Sequence, residues 1–295
     1  IAADQVEPLQ LGAFLMLLRV KEESPEEIAG FVAAARSAIA APAETLRVDL
    51  DWSSYAGKRQ HHPWFLLAAL ALADSGVRVL MHGGSGHTPG RLYTGDALTR
   101  LGITPCQGWA DAEQALDGCG FAYIEIDDFC PTIARLLYLK PLLGLRSAAN
   151  SLARLLNPAA ASAGMYSIFH PRYAHTHQRA LELLGQANAA VFKGEGGEVE
   201  RKPDATCTVL GLREGEPFEQ RWPRVIADRG DKTSAPGTEA LLRLWRAEGD
   251  DRYGECAVLG TLAIALKQLR SLECPEEATR QATALWQARD RERLS

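Results

Sequence analysis

A glycine-rich loop at residues 82–90 has the residue types and spacing that best suit chemistry. It follows a short apolar run, Val77–Met81, and precedes a helical pattern with a threonine placed as its N-cap. A strand, a glycine-rich loop and a helix N-terminus form an anion site, because glycine lets the backbone approach and free N–H groups face the charge. An ordinary glycine turn is the alternative, since no established phosphate motif is matched. The residues expected to face the anion are His82, Gly83, Gly84 and Thr94.

Histidines and cysteines give weaker indications. His170, His175 and His177 lie close in sequence, but residues 175 and 177 of a helix point to different faces, so we do not expect a metal site there. No Ser/His/Asp or Cys/His arrangement can be argued from spacing. The six cysteines are scattered without a C-x-x-C pair, which is typical of free thiols in a reducing cytoplasm.

The elements that would position the loop alternate between strand and helix. Strands are predicted at Leu46–Leu50, Val77–Met81 and Phe121–Ile126, with a buried helix at Pro63–Asp74. This β-α-β-α-β order predicts a parallel sheet covered by helices. The later predictions are a helical segment at 129–156, strands at 165–169, 189–192 and 206–212, an irregular segment at 217–236, helices at 171–184, 239–247 and 254–272, and an amphipathic tail from 275.

Two helices are predicted before this unit. Leu9–Val20 is apolar around most of its circumference, so we expect it to be buried in the core or in a dimer contact. Ser24 is a suitable N-cap for a second helix that runs to about Ile39, because Pro25 follows it. Since the first helix has almost no lead-in, we expect the natural chain to begin further upstream.

Size and charge exclude several classes of protein. A chain of 295 residues with 46% hydrophobic residues is globular and can form one large domain or two. No apolar run reaches the roughly 18 residues of a membrane span, and a signal peptide is not evident. The net charge of −5 does not indicate a nucleic-acid-binding protein. A local basic groove stays compatible with it, because binding follows the local field.

Several short motifs resemble anthranilate phosphoribosyltransferase and the related nucleoside phosphorylases of glycosyltransferase family 3. The matching stretches are Gly12–Met16, Ser24–Gly30, His82-Gly83, Leu143–Ser147 and Leu155–Pro158. The resemblance implies a small all-helical domain and a larger α/β domain with a mainly parallel central sheet. It places residues 1–44 and 129–156 in the helical, dimerising domain, and 45–128 and 157–295 in the α/β domain.

The same resemblance implies a phosphoribosyl diphosphate and magnesium site, and the sequence departs from its motifs. Asp51–Lys58 stands where the family has the diphosphate-binding GTGGD loop, and Met81 replaces the lysine of K-H-G-N-R. The arginine that holds anthranilate corresponds to Lys140, and a substrate-site proline corresponds to Arg154. The magnesium-binding Asp-Glu pair becomes Val199-Glu200, so Glu200 is left as a weak metal ligand. We therefore expect no cofactor, with Mg²⁺ needed only if the protein is catalytically active.

The replacement motifs DWSSYAGK-R, HGG-GHT-GRLYTG and KGEGGE-ER resemble a divergent, YbiB-type branch of the family. That resemblance implies a cytoplasmic homodimer that binds single-stranded or double-stranded nucleic acid non-specifically. Solvated, ion-paired surface charges are the alternative interpretation of its basic residues. The alternative function is an active phosphoribosyltransferase for an aromatic amine or nucleobase, including anthranilate. The expected phosphate-backbone contacts are Arg59, Arg91, Lys140, Arg154, Arg201 and Lys202, with Lys58 in the anion site.

Two aromatic residues in the Asp51–Lys58 stretch also need a role. Trp52 and Tyr55 are candidates to stack on bases, because aromatic rings accept any base. Filling the vacated diphosphate pocket explains them equally well.

Overall fold

A seven-stranded sheet forms the centre of the protein, with strand order β3-β2-β1-β4-β5-β6-β7. The computed structural model describes residues 1, 5–40, 42, 45–86, 88–227 and 235–294. The first five strands in that order pair in parallel, and β6 and β7 add an antiparallel edge. The strands are β1 (Leu50–Ser54), β2 (Val79–Gly83), β3 (Phe121–Glu125), β4 (Ala163–Ile168), β5 (Asn188–Lys193), β6 (Cys207–Arg213) and β7 (Glu216–Trp222). The predicted mainly parallel sheet is confirmed.

Helices cover both faces of the sheet, as parallel strands require. They are α1 (Pro8–Lys21), α2 (Pro25–Ala38), α3 (Phe65–Asp74), α4 (Thr94–Arg100), α5 (Trp109–Cys119), α6 (Ile126–Phe129), α7 (Pro131–Leu137), α8 (Lys140–Leu143), α9 (Ala149–Leu152), α10 (Ala174–Leu183), α11 (Glu239–Arg246), α12 (Arg252–Leu269) and α13 (Pro275–Ala288). Helix α3 is buried along almost its whole length and shares a hydrophobic cluster with α12 and α13. Helices α1, α7 and α9 share another cluster, which also includes Leu80 of β2 and Ala122 of β3. A small helical part and a larger α/β part are confirmed, and the predicted bounds of the two domains stay a prediction.

The N-terminus of α2 shows why this helix begins at Pro25. The Ser24 hydroxyl accepts a hydrogen bond from the backbone N–H of Glu27 at 3.2 Å, and the Glu27 carboxylate accepts one from the N–H of Ser24 at 2.9 Å. This reciprocal capping box satisfies donors that the first turn would otherwise leave free. The predicted start of the second helix is confirmed.

The first strand lies four residues later than predicted. The apolar residues of Leu46–Leu50 predict a strand there, but β1 is Leu50–Ser54, and all five of its residues are buried. The strand pairs with β2 on one side and β4 on the other, so it is a central strand. Two of its polar residues meet neighbouring elements: Ser54 bonds to Glu198, and Oδ1 of Asp51 lies 3.3 Å from Nε2 of His82. Local apolarity does not reveal these long-range contacts.

Other element predictions also need correction. The helical segment predicted at 129–156 is divided into α7, α8, α9 and a 3₁₀ turn, and Gly144 ends α8 with φ of 77°. The segment predicted as irregular contains β7. The side chains of this strand are mostly exposed, so its sequence lacks the apolar residues by which a strand is recognised. Residue 87 of the predicted loop, residues 228–234 of the irregular segment and residues 43–44 at the proposed domain boundary lie outside the described residues. Among the described helices, none is long and apolar enough to cross a membrane.

Candidate functional site

The carboxyl end of β1 presents three hydrogen-bond donors to one point. The N–H groups of Ala56 and Gly57 donate to Oε1 of Glu198 at 2.7 and 2.5 Å. The Ser54 hydroxyl donates to Oε2 of the same carboxylate at 2.8 Å. We call Ser54, Ala56 and Gly57 the nest. Ligands of open α/β sheets bind outside the carboxyl ends of the strands, so the nest lies where an anion is expected, and Glu198 fills it.

The backbone around the nest is held from the opposite side. Nη1 of Arg91 donates to the carbonyls of Ala56 and Gly57 at 2.8 and 3.1 Å, which leaves their N–H groups directed towards Glu198. The backbone of Lys58 exchanges hydrogen bonds of 2.8 and 2.9 Å with Leu92. Gly57 has φ of 67°, and a Cβ there would lie 3.1 Å from Arg91. The nest geometry therefore depends on glycine and on Arg91.

Glu198 is carried by a turn with three glycines. Gly194 has no room for a side chain, because a Cβ there would lie 1.6 Å from the carbonyl oxygen of Glu198. Gly196 and Gly197 have φ of 67° and 89°, in the left-handed region. Nη1 of Arg154 donates to the Gly197 carbonyl at 3.0 Å, and this bond fixes the turn to the end of β4 through a second bond to Ser167.

Lys58 forms a buried ion pair with Glu200. The sequence had assigned Lys58 to an anion site and Glu200 to a magnesium site. Nζ of Lys58 lies 2.6 Å from Oε1 of Glu200, and both side chains are at most 2% exposed. Oε2 of Glu200 accepts a hydrogen bond from the N–H of Phe65 at 2.9 Å. Burial raises the pKa of Glu200, and the Lys58 ammonium opposes that rise. The Lys58 ammonium and the Glu200 carboxylate are therefore partners of each other in this structure. Among the described residues no cluster of three or more metal-ligating side chains occurs.

His82 is buried and takes part in internal contacts. Its Nδ1 lies 2.7 Å from the Tyr55 hydroxyl, and its Nε2 lies 3.3 Å from Oδ1 of Asp51. A proton on Nε2 would face Asp51 and leave Nδ1 to accept from Tyr55. This arrangement anchors the loop after β1, and it holds the imidazole away from solvent.

Gly83, Gly84 and Thr94 lie beside these contacts. Gly83 ends β2, and a Cβ there would lie 2.3 Å from the carbonyl oxygen of Ser54. A Cβ on Gly84 would lie 3.1 Å from Ile126. Thr94 is the first residue of α4 and not its N-cap, which is Tyr93. The Thr94 hydroxyl bonds to the Ser54 hydroxyl at 2.6 Å, so it supports the nest indirectly.

A basic cleft lies between the helical unit and the end of β4. We call it the cleft; its lining includes Arg19, Glu23, Arg146, Arg154, Phe169 and His177. Glu23 is the one carboxylic acid among the described residues that line it. Arg19 donates to the Tyr173 hydroxyl at 3.0 Å.

Neighbouring positive charges act on two residues of the cleft, while the charge of Glu198 opposes the lowering of the pKa of Arg154. The pKa of Arg146 is lowered by burial and then by the positive charge of Arg91. The pKa of His177 is lowered to about 3 by burial and then by the positive charge of Arg154. Lys140 and Arg146 both approach the Thr88 hydroxyl, at 3.2 and 3.5 Å, and neither forms an ion pair with a described carboxylate. An anionic group is the natural complement of this arrangement.

Three other residues predicted to contact a phosphate backbone, Arg201, Lys202 and Arg59, are not among the described residues that line the cleft. Arg201 is 3% exposed, donates to the Pro223 carbonyl at 2.5 Å and stacks on Trp222. Lys202 lies 3.7 Å from Glu195 and 3.9 Å from Asp204. Arg59 is exposed. Of the six predicted contacts, Arg154 alone is among the described residues that line the cleft. Lys140 meets the lining residue Arg146 at the Thr88 hydroxyl, and the charge of Arg91 acts on Arg146.

Trp52 and Tyr55 do not face solvent. Trp52 belongs to the core cluster of α3 and α12, and Tyr55 contacts His82. Both rings are almost fully buried, so in this structure they fill space and do not offer a surface for stacked bases.

Four residues of the site were missed by sequence reasoning. Glu198 and Ser54 look like loop residues in the sequence. Their contact spans 144 residues of chain and depends on the pairing of β1 with β4 and of β4 with β5. Arg146 is in the family-like stretch Leu143–Ser147 and Arg19 lies just after Gly12–Met16, and neither position indicated that the two side chains face one cleft. The carboxyl ends of parallel strands lie at the same edge of a sheet. The loops that follow Ser54 and Lys193 could therefore have been expected to lie close together.

Residues 1–39 match the glycosyl transferase family, helical bundle domain, and residues 65–221 match the glycosyl transferase family, a/b domain. The second match covers more than half of the chain, so the protein belongs to this family, glycosyltransferase family 3.

Two relatives within the family show how similar this chain is to individual members. The chain is 27% identical to YbiB of Escherichia coli K12 over 285 residues, which is 95% of this chain and 86% of YbiB. It is 33% identical to an anthranilate phosphoribosyltransferase of Desulfitobacterium hafniense over 201 residues, 67% of this chain but only 58% of that relative.

Solved structures give the same fold. The anthranilate phosphoribosyltransferase of Thermus thermophilus matches with a TM-score of 0.79 and 26% identity, over 97% of this chain and 87% of that one. The Saccharomyces cerevisiae enzyme in complex with PRPP and Mg matches with a TM-score of 0.78 and 17% identity, over 95% and 81%.

Proposed function

We propose that this protein binds nucleic acid non-specifically through the cleft and does not use phosphoribosyl diphosphate. The observation that carries the proposal is the pair Arg19 and Arg146 in the lining of the cleft, with Lys140 beside Arg146 at the Thr88 hydroxyl. None of the three has an ion-pair partner among the described carboxylates. A phosphate backbone supplies repeated negative charge and makes no demand on base sequence, so such a cluster suits it.

The contacts of Glu198 and Lys58 support the second half of the proposal. The nest donors that could hold a diphosphate are satisfied by the Glu198 carboxylate. The carboxylate that could bind Mg²⁺, Glu200, is neutralised by Lys58. A substrate would have to displace both sets of contacts, so we interpret the phosphoribosyl diphosphate site as degenerate.

We also propose that the protein is a cytoplasmic homodimer. Helix α1 leaves Leu9, Leu17 and Val20 between 71% and 89% exposed, which is unusual for three large apolar side chains on one short helix. A second copy of the chain would cover them. The six cysteines are free, as a reducing compartment favours.

Charge reversal in the cleft tests the nucleic-acid proposal. We expect the Lys140→Glu/Arg146→Glu variant to bind a labelled single-stranded oligonucleotide about tenfold or more weakly than the wild type, because two phosphate contacts become repulsive. Fluorescence anisotropy at fixed salt measures the affinity. Arg280→Glu, an exposed change on α13, is the matched control and should bind as the wild type does. Equal affinity of the cleft variant and the control would contradict the proposal.

An active phosphoribosyltransferase is the second candidate, and the 33% identity to anthranilate phosphoribosyltransferase favours it. It requires the Glu198 carboxylate to leave the nest and Lys58 to separate from Glu200 in the wild-type protein. Calorimetric binding of phosphoribosyl diphosphate with Mg²⁺ to the wild type would support this candidate over the first.

A further inference from the structure

We propose that Lys267 is a site of reversible modification by carbon dioxide, where its amine becomes a carbamate that faces Arg213. Lys267 lies near the end of α12 and is 3% exposed, and its Nζ lies 5.0 Å from the centre of the Phe218 ring on β7. Neither Lys267 nor Arg213 is among the described residues that line the cleft. The proposal therefore stands or fails separately from nucleic-acid binding.

The ammonium of Lys267 has no anionic partner. Among the residues that the structure describes, this ammonium forms neither an ion pair nor a hydrogen bond, and it lies over the face of the Phe218 ring. Buried lysines are almost always paired with an anion. A cation–π contact with one ring replaces only part of the hydration that burial removes. The charged form of Lys267 is therefore only weakly stabilised by its surroundings.

Arg213 brings a second positive charge to the same ring. Its guanidinium carbon lies 5.7 Å from the centre of the Phe218 ring, and its Nη2 donates to the Leu272 carbonyl at 2.9 Å, so the guanidinium is held in position. Within the described part of the chain, Arg213 does not form an ion pair either. Two cations at one ring repel each other, and an anion in place of the Lys267 ammonium would turn that repulsion into attraction.

The same surroundings make the amine available as a nucleophile. The pKa of Lys267 is lowered from 10.5 to about 8 by burial and then by the positive charge of Arg213, and the Cys274 thiol has the opposite effect. At pH 7 roughly a tenth of the amine is then neutral. A neutral lysine amine carries the lone pair that attacks an electrophilic carbon.

Carbon dioxide is the electrophile that fits this environment. The lone pair of the neutral amine forms an N–C bond to its carbon, the electrons of one C–O π bond move onto oxygen, and the nitrogen releases one proton to water. The product is a lysine carbamate with one negative charge. Its two oxygens can accept hydrogen bonds from the Arg213 guanidinium, as a carboxylate does. Carbon dioxide is also small and uncharged, which suits a side chain with so little exposed surface.

Chemical trapping on the wild-type protein tests the assignment. The protein is incubated with isotopically labelled bicarbonate as the source of carbon dioxide, the carbamate is ethylated with a trialkyloxonium salt, and the peptides are analysed by mass spectrometry. We expect the label on Lys267 and not on Lys193, an exposed lysine at the end of β5. Between about pH 7 and about pH 8 at fixed carbon dioxide, labelling of Lys267 should rise about fivefold or more, because more of the amine is neutral.

Two variants of Arg213 test its role in stabilising the carbamate. Arg213→Gln removes the facing charge and should lower the labelling of Lys267 about tenfold. Arg213→Lys is the matched control, because it keeps a positive charge and should keep most of the label. Circular dichroism checks that both variants are folded, and the labelling pattern of the wild type decides the proposal without them. No label on Lys267, equal label on Lys267 and Lys193, or full labelling in a folded Arg213→Gln variant would overturn the proposal.

Discussion

Replacing Lys58 with methionine is expected to lower the free energy of unfolding by about 3–5 kcal/mol, since it leaves a buried carboxylate without its partner. The ammonium of Lys58 lies 2.6 Å from Glu200, and both groups are almost completely buried. The remaining contact of Glu200, the Phe65 N–H, is a neutral donor and cannot balance the charge. Urea unfolding of the two proteins at pH 7 measures the difference.

The source of this loss can be separated from the loss of lysine packing. Lys58→Met/Glu200→Gln restores neutrality and keeps an acceptor for Phe65, so most of the lost stability should return. Lys58→Met alone should also recover part of its stability at pH 5, because protonation of Glu200 removes the unpaired charge. A double variant as unstable as the single one would show that the charge is not the cause.

The stability of the wild type should fall as the pH rises from about 4.5 to about 7 through the titration of Glu125. Burial raises the pKa of this carboxyl from 4.5 to about 7, and the charges of Asp127 and Asp128 add to the rise. The folded state then binds the proton more tightly than the unfolded state, so stability is greatest below the unfolded pKa and is lost up to the folded pKa. The limit is about 3 kcal/mol, and partial exposure reduces our expectation to about 2 kcal/mol.

Glu125→Gln isolates this contribution. The variant cannot ionise, and its amide oxygen can still accept the bond that the Tyr123 hydroxyl gives to Glu125 at 2.9 Å. We therefore expect the stability of the variant, relative to the wild type, to be about 2 kcal/mol greater at pH 8 than at pH 4. Chemical unfolding at both pH values measures it. The same change at exposed Glu219 should give no such pH dependence, and a pH-independent difference for Glu125→Gln would contradict the assignment.

The fold could be predicted where sequence patterns coincide with packing. The capping residues of α2, the apolar helix α3 and the alternation of strands and helices led to the correct layers. Strand β1 could not be located from its own residues, because Asp51 and Ser53 look like loop residues and are buried only by the strands on either side. Strand β7 was not predicted because most of its side chains are exposed, and an edge strand can be polar on both faces.

The site was harder to predict than the fold, because its decisive contacts are long-range. Lys58 was assigned to an anion from its position in a loop, yet it meets Glu200, which lies 142 residues away. Arg201 was assigned to a groove by its charge, yet its side chain packs on Trp222. Residue type showed that these groups are charged, and only the fold shows which charges are already paired.

The salt dependence of oligonucleotide binding by the wild type tests the central claim most directly. If Arg19, Lys140 and Arg146 each neutralise one phosphate of a single strand, the slope of log K against log salt should be about −2. Affinity measured by anisotropy should then fall roughly 20-fold between 50 and 200 mM salt. Absence of binding at 50 mM salt, or an affinity that does not change with salt, would contradict the proposal that the cleft binds a phosphate backbone.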